Sequence, residues 1–146
     1  MQHAGRFFMH CIIFTLQTGN MTEQENASEA ELVDLSYVYE LADGRKEFVH
    51  QLLSIFLENT PPAVTELERL VKETDDWESI SKKAHFLKSS LGVVKVQGLH
   101  ERLQEIETIS RDRPDRQVIE QLLEEVLDRF QKAEPVIRAE FRLADG

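Results

Sequence analysis

The sequence is poor in the residues that build disulfide frameworks and tight turns. Its 146 residues include one cysteine, Cys11, with six glycines and four prolines. A single cysteine excludes an internal disulfide framework and a cysteine-rich zinc site, and it is typical of a reducing compartment. So few glycines and prolines exclude a turn-rich β-sandwich or barrel and leave long stretches free to form helices.

Positive charge is also scarce. The chain has 17 lysines and arginines against 27 acids, a formal net charge of -10. A surface of this sign repels nucleic acid and anionic membranes, so we expect neither as a partner. The length and a hydrophobic content of 41% fit one soluble domain with its own core. We expect a cytoplasmic monomer.

The N-terminal region differs from the rest. Residues 7–16 form an apolar run, but a membrane-spanning helix needs about 20 such residues. No clean signal-peptidase site follows the run, and at Met21 the sequence becomes acidic. Our hypothesis is that Met21 is the native start and that residues 1–20 come from an upstream start assignment. The alternative is an export signal of a periplasmic protein, which N-terminal sequencing of the natural protein would distinguish.

Hydrophobic spacing predicts an all-α protein whose four or five main helices fit an antiparallel bundle. The fold class we expect is a four-helix bundle with an additional short N-terminal helix. The short helix covers Leu35–Leu41. Asp43 is the predicted N-cap of a helix that ends near Asn59, with a buried face of Phe48, Leu52, Leu53 and Phe56. Pro61 and Pro62 then predict the start of another helix, because proline is favoured in a first turn.

Three further helices follow in the sequence. One begins at Asp75 or Asp76, runs to about 93–95, and buries Trp77, Ile80, Ala84, Leu87 and Leu91. The next carries Leu99, Leu103 and Ile106 and ends before Arg111. The last is capped by Asp115, has apolar residues from Val118 to Ala133, and should kink or end at Pro135. The predicted domain spans 35–140, between an acidic segment at 21–34 and a tail at 141–146.

One predicted helix has a polar stripe that a bundle does not need. At about 100° per residue, His85 lies about 120° from the centre of the buried face of its helix. Its neighbours on that stripe are Ser81, Lys88, Ser89 and Gly92. A glycine in a helical stretch costs about 1 kcal/mol relative to alanine. Small residues around an exposed imidazole favour close approach by a second protein.

The charge distribution marks the same place. From Ser79 to His100 there is no acidic residue, whereas four lysines lie inside this window. The window therefore has a charge of +4 and the remainder of the chain -14. A cationic patch on an acidic protein indicates an anionic group or a partner with an acidic pocket. A solvated lysine face is the plainer interpretation.

An exposed imidazole with these neighbours has the chemistry of a phosphoryl carrier. Neutral imidazole is a nucleophile near pH 7. The carrier needs one free ring nitrogen, an acceptor that holds the other, and a nearby cation. Lys88, one turn along, is placed to be the cation. The acceptor would come from the following helix, where the residues alone do not decide among Glu101, Gln104, Glu105 and Glu107.

The stretch Ala84-His85-Phe86-Leu87-Lys88-Ser89-Ser90, followed by the helix from Leu99 to Glu107, resembles the histidine-containing phosphotransfer (HPt) domains of multistep His–Asp phosphorelays. The resemblance extends from Leu35 to about Ala139 and is specific at the core motif. It implies that His85 is the phosphoacceptor, that Lys88 neutralises the phosphoryl group, and that Glu107 accepts from the other imidazole nitrogen.

Two positions depart from the family pattern. The glycine usual four residues after the histidine is Ser89, which is still small enough for docking. Lys95 stands at the position where the family often has the glycine that closes the helix. The sequence therefore does not decide the geometry of the turn or whether Glu107 reaches His85. The partner-docking residues we predict are Ser81, Lys82, Phe86, Ser89 and Gly92.

The resemblance also implies partners and cofactors. The partners would be receiver domains of a hybrid sensor histidine kinase, a response regulator, or both. The chain has no Gly-rich phosphate loop or metal-ligand spacing, so we expect no cofactor, no metal and no kinase activity of its own, with Mg²⁺ held by the receiver. The alternative is a docking or scaffold module of the same fold that exchanges no phosphate.

Overall fold

The computed structural model describes residues 32–145. Along this part of the chain the elements are β1 Val33–Asp34, α1 Ser36–Leu41, α2 Lys46–Glu73, α3 Trp77–Ser90, β2 Lys95–Val96, α4 Leu99–Asp112 and α5 Arg116–Asp145. The predictions about the apolar run and the start at Met21 lie outside the described residues. Within the described part, no helix combines the length and the apolar character needed to cross a bilayer.

The four main helices, α2 to α5, form an antiparallel bundle around one core. Each packs against two others, so that α3 lies between α2 and α4, and α5 closes the ring between α4 and α2. Short connections join consecutive helices, as in up-and-down bundles. The largest fully buried side chains come from all four: Leu53, Leu67, Ile80, Leu87, Leu103, Ile106, Ile119 and Leu123. The predicted bundle with a short N-terminal helix is confirmed.

The proline pair does not start a new helix, and that prediction is wrong. Pro61 and Pro62 lie inside α2, which is continuous over 28 residues. Each proline removes one backbone N–H from the helix ladder, but its fixed φ is compatible with a helix. The residues around the pair bury the same face against the bundle: Phe56, Thr60, Ala63, Val64 and Leu67. This packing favours one helix despite the missing hydrogen bonds.

The predicted start of α2 is wrong as well. Asp43 has a left-handed φ of 55° and belongs to the turn after α1, and the helix begins at Lys46. Phe48, predicted to be buried, is exposed beneath the guanidinium of Arg45, 4.4 Å from the ring centroid. Val118 is also exposed.

Helix α5 continues past Pro135 to Asp145, so the helix does not end at the proline and residues 141–145 are helical. The segment beyond the proline contacts the N-terminal part of the fold. The hydroxyl of Tyr39 donates to Glu140, and this hydrogen bond raises the pKa of Tyr39 from its ordinary value of 10.0 to about 12. His50 stacks on Phe141 with ring centroids 4.1 Å apart.

The N-caps of α3 and α5 are the aspartates that the sequence predicts. Asp76 accepts from the backbone N–H of Ser79 at 3.1 Å, and Asp115 accepts from that of Val118 at 3.3 Å. Helix α3 ends at Ser90, earlier than predicted, and a turn leads to β2. Strand β2 pairs antiparallel with β1, Val33 opposite Val96 and Asp34 opposite Lys95. Two-residue strands have no alternation that a sequence pattern could reveal.

Candidate functional site

His85 lies on the outer face of α3. Its side chain is 64% exposed, as the helical spacing predicts, because Ile80, Ala84 and Leu87 occupy the buried face of the same helix. The core contacts of α3 therefore fix the backbone of the histidine while its ring remains at the surface. A second protein can reach such a ring without any opening of the bundle.

The carboxylate of Glu107, on α4, contacts the imidazole. Oε2 of Glu107 lies 3.1 Å from Nδ1 of His85, and the Glu107 side chain is only 11% exposed. An ionised carboxylate only accepts hydrogen bonds, so the proton of a neutral imidazole resides on Nδ1. The lone pair is then on Nε2.

Lys88 binds the other oxygen of the same carboxylate. Its Nζ lies 2.8 Å from Oε1 of Glu107 and also donates to Oε1 of Gln104. The contact between Lys88 and the Glu107 carboxylate is the main cause that lowers the pKa of Glu107. The charge of Lys88 and the interactions with His85 lower it further, against the opposing effect of burial. Glu107 is therefore ionised at neutral pH. Lys88, 15% exposed, is held beside the histidine by a residue of another helix.

The other acceptor candidates do not contact His85. Gln104 binds Lys88 and donates to the hydroxyl of Thr108 at 3.0 Å. Glu101 and Glu105 are exposed elsewhere on α4. Of the four side chains that the sequence left open, Glu107 is the one that the fold places on the imidazole.

Two contacts around Glu107 were not foreseen. The hydroxyl of Ser81 donates to the backbone carbonyl of Glu107 at 3.3 Å, which joins α3 to α4 one turn before His85. Arg111 has Nη1 3.8 Å from Oε2 of Glu107. The spacing of four residues between Glu107 and Arg111 was the available signal, since side chains at i and i+4 on a helix are neighbours.

Gly98 was also missed, and it determines where α4 begins. It has φ 78° and immediately precedes the helix, a conformation that glycine adopts without strain. A Cβ there would lie 2.9 Å from Cζ of Arg129. Lys95, which stands where the family often has glycine, lies in β2. The turn therefore has its left-handed glycine three residues later, and Glu107 still reaches the histidine.

Three of the five predicted docking residues line two different grooves. Phe86, 44% exposed, lies at an apolar groove of about 400 Å³ between α2 and α3, with Leu52, Ile55, Phe56 and Val93. Ser81 and Lys82 line a different groove, between α3 and α4. The hydroxyl of Ser89 donates to the carbonyl of His85 at 3.3 Å. Gly92 lies in the turn after α3, so its predicted place on the helical stripe is wrong, and its role in docking stays a prediction.

Comparisons with known proteins agree with the motif. A family model of the Hpt domain matches residues 51–133, more than half of the chain. An X-ray structure from rice, of a protein named as a candidate histidine-containing phosphotransfer protein, is similar with a TM-score of 0.67 and 17% identity, covering 90% of this chain and 94% of that one. At this identity the likeness shows the fold alone. Among curated protein sequences, none matches. The chain belongs to the Hpt domain family, whose members mediate phosphotransfer in His–Asp phosphorelays and interact with receiver domains.

Proposed function

We propose that His85 accepts a phosphoryl group from the aspartyl phosphate of one receiver domain and passes it to the aspartate of another. The observation that carries this proposal is the contact between exposed His85 and buried Glu107, with Nδ1 and Oε2 3.1 Å apart. A histidine that only contacts solvent needs no buried carboxylate at its inner nitrogen.

The chemical step follows from this contact. The lone pair on Nε2 attacks phosphorus, the bond between phosphorus and the aspartyl oxygen breaks, and its electron pair leaves on the carboxylate of the receiver. Nδ1 keeps its proton, so positive charge develops on the ring next to the Glu107 carboxylate. Glu107 stabilises that charge and holds the ring in one orientation. The reverse sequence transfers the group from Nε2 to the second aspartate.

Lys88 supports the step in two ways. Its ammonium is the closest cation to the Glu107 carboxylate, which lies in a largely buried position where a charge is costly without a close partner. It also places a cation one helical turn from His85, where it lowers the energy of an arriving phosphoryl group. Mg²⁺ and the aspartate belong to the receiver, and this chain supplies the imidazole and its surroundings.

The proposal is tested by labelling with an isolated phosphorylated receiver domain. The unmodified protein should acquire a phosphoryl group that is labile in acid and stable in base, and His85→Gln should acquire none while keeping its helical content. His100→Gln is the matched control, because His100 is also an exposed histidine of the bundle, and it should be labelled normally. Normal labelling of His85→Gln would refute the site. A receiver that binds without transfer would favour the scaffold alternative.

A further inference from the structure

Lys88 makes one hydrogen bond to which the transfer step assigns no role. Its Nζ donates to Oε1 of Gln104, on α4. Nζ also lies 2.8 Å from Oε1 of Glu107, but this approach lacks the alignment of a hydrogen bond. An ion pair without alignment has little directional preference, whereas a hydrogen bond from an ammonium has a strong one. Gln104 therefore determines the direction in which the ammonium points.

The amide of Gln104 is itself held in one orientation. Its Nε2 donates to the hydroxyl of Thr108, one turn further along α4, at 3.0 Å. An ammonium cannot accept a hydrogen bond, so the oxygen of the amide must face Lys88. The contacts with Thr108 and with Lys88 therefore require the same orientation of the amide. The acceptor for Lys88 is in place before a phosphoryl group arrives.

Gln104 lies at the surface, whereas Glu107 lies below it. Gln104 is exposed, and the Glu107 side chain is only 11% exposed and faces Nδ1 of His85. Because Nδ1 faces Glu107, Nε2 points away from that carboxylate, and a phosphoryl group on Nε2 lies nearer the solvent. Glu107 alone would draw the ammonium of Lys88 inward, away from that group. The hydrogen bond to Gln104 holds the ammonium toward the surface.

Gln104 also holds Lys88 without cancelling its charge, because an amide is neutral. A carboxylate in the same place would offset the cation and repel an arriving phosphoryl group. An ammonium has three N–H donors. One is directed at Gln104 and one side of the ammonium faces Glu107, and residues 32–145 offer Lys88 no further acceptor. One N–H is therefore available to a phosphoryl oxygen.

We propose that Gln104 is a positioning residue for phosphoryl transfer. Its amide oxygen holds the ammonium of Lys88 near the surface, where the remaining N–H of the ammonium meets an oxygen of the phosphoryl group on Nε2 of His85. The inference rests on the proposed function, which assigns the phosphoryl group to His85. Gln104 acts through Lys88 and does not touch the group itself. It therefore affects the rate of transfer and not the affinity for the receiver.

The first test is a double-mutant cycle with Gln104→Ala and Lys88→Ala, which shows whether one residue acts through the other. Transfer from a phosphorylated receiver is measured over a range of receiver concentrations. Gln104→Ala should lower the maximal rate about threefold, as expected for the loss of one hydrogen bond, and should change the half-saturating concentration by less than about twofold. In the Lys88→Ala protein, Gln104→Ala should change the rate no further. Independent, multiplying losses in the double variant, or an unchanged or faster rate in Gln104→Ala, would overturn the proposal.

The second test concerns charge and has a matched control in α5. Gln104→Glu should lower the maximal rate about fivefold, because the new carboxylate offsets the ammonium and repels the phosphoryl group. Gln121→Glu makes the same substitution at another exposed glutamine, away from His85, and should leave the rate unchanged. Equal rates for the two variants would contradict the role of the neutral amide.

The third test needs no receiver. In protein with isotope-labelled lysines, NMR measures hydrogen exchange of the Lys88 ammonium, whose signal is assigned by its absence from Lys88→Ala. Exchange should become about threefold faster in Gln104→Ala, which removes an acceptor, and should stay the same in Gln121→Ala. Unchanged exchange in Gln104→Ala would overturn the proposal and leave the proposed function standing. If exchange responds as expected but the unmodified protein takes no phosphoryl group from any receiver, the proposed function fails, and the role of Gln104 in transfer fails with it.

Discussion

The long helices and the short helices of the bundle differ in what they bury. Helices α2 and α5, of 28 and 30 residues, bury almost only apolar side chains, with Thr60 the polar exception. Helices α3 and α4 have 14 residues each, and α4 buries both Glu107 and Ser110. Polar contacts of Ser81, His85 and Lys88 all cross from α3 to Glu107.

This difference assigns the stability of the fold to the long helices and the chemistry of the site to the short ones. A buried carboxylate costs free energy unless it is paired, and Glu107 is placed where the fold can compensate it with Lys88 and where the imidazole needs an acceptor. The apolar contacts of α2 and α5 supply the stability that the polar pair does not. Substitutions in the long helices should therefore change stability with little effect on transfer, and substitutions in the short pair should do the reverse.

The largest expected effect on stability is in α2. Leu67 is fully buried, and Leu67→Ala should lower the free energy of unfolding by about 2 to 5 kcal/mol because it leaves a cavity. Urea denaturation measures the loss. The rate of phosphoryl transfer per folded molecule, measured at low temperature and without denaturant, should remain within about twofold of the unmodified protein. A much slower transfer rate in fully folded Leu67→Ala would contradict this division between the long helices and the short ones.

In the short pair, Lys88→Ala should slow transfer about tenfold, because it removes a cation from the reacting group. It also removes the main cause of the lowered pKa of Glu107, so that pKa should rise. Transfer kinetics check the first effect. The second effect is measured as the loss of free energy of unfolding when the pH is lowered.

The direction of that pH effect follows from the lowered pKa of Glu107. Its contribution to stability is present above the ordinary carboxyl pKa of 4.5 and is lost as the pH falls through the lowered value in the folded protein. Lys88→Ala and Glu107→Gln should both remove this part of the acid dependence. Persistence of the full acid dependence in Glu107→Gln would show that another carboxyl group causes it.

The smallest expected effect compares two glycines. Gly44 and Gly98 both have positive φ, 72° and 78°, so alanine at either site should cost about 1 kcal/mol. A Cβ at Gly44 meets no atom within 4 Å, whereas at Gly98 it meets the guanidinium of Arg129, which donates to the carbonyl of Gln97 at 3.0 Å. Gly98→Ala should therefore cost about 1 kcal/mol more than Gly44→Ala, the value of that hydrogen bond. Equal urea midpoints for the two variants would show that Arg129 moves aside without loss.

Several features that the sequence predicted correctly depend on one helix at a time. The exposure of His85 follows from the buried spacing of its own helix, and the caps at Asp76 and Asp115 follow from local chemistry. The proline pair was misinterpreted because the same residues occur at a helix start and inside a helix that packing stabilises. Periodicity alone could not choose Glu107, since the choice depends on how α4 is rotated against α3. The resemblance to a family selected it, and the structure places it on the imidazole.

The exposure of His85 on the outer face of α3 has a kinetic consequence for the proposed relay. One exposed ring with one available nitrogen can meet one aspartate at a time. Under the proposed function, the donor receiver would have to dissociate before the acceptor receiver binds, so the relay would be a ping-pong exchange with the phosphorylated protein as the free intermediate. Tight docking of either receiver would then slow the relay. Moderate affinity with fast dissociation of the receiver favours a high rate of phosphoryl relay.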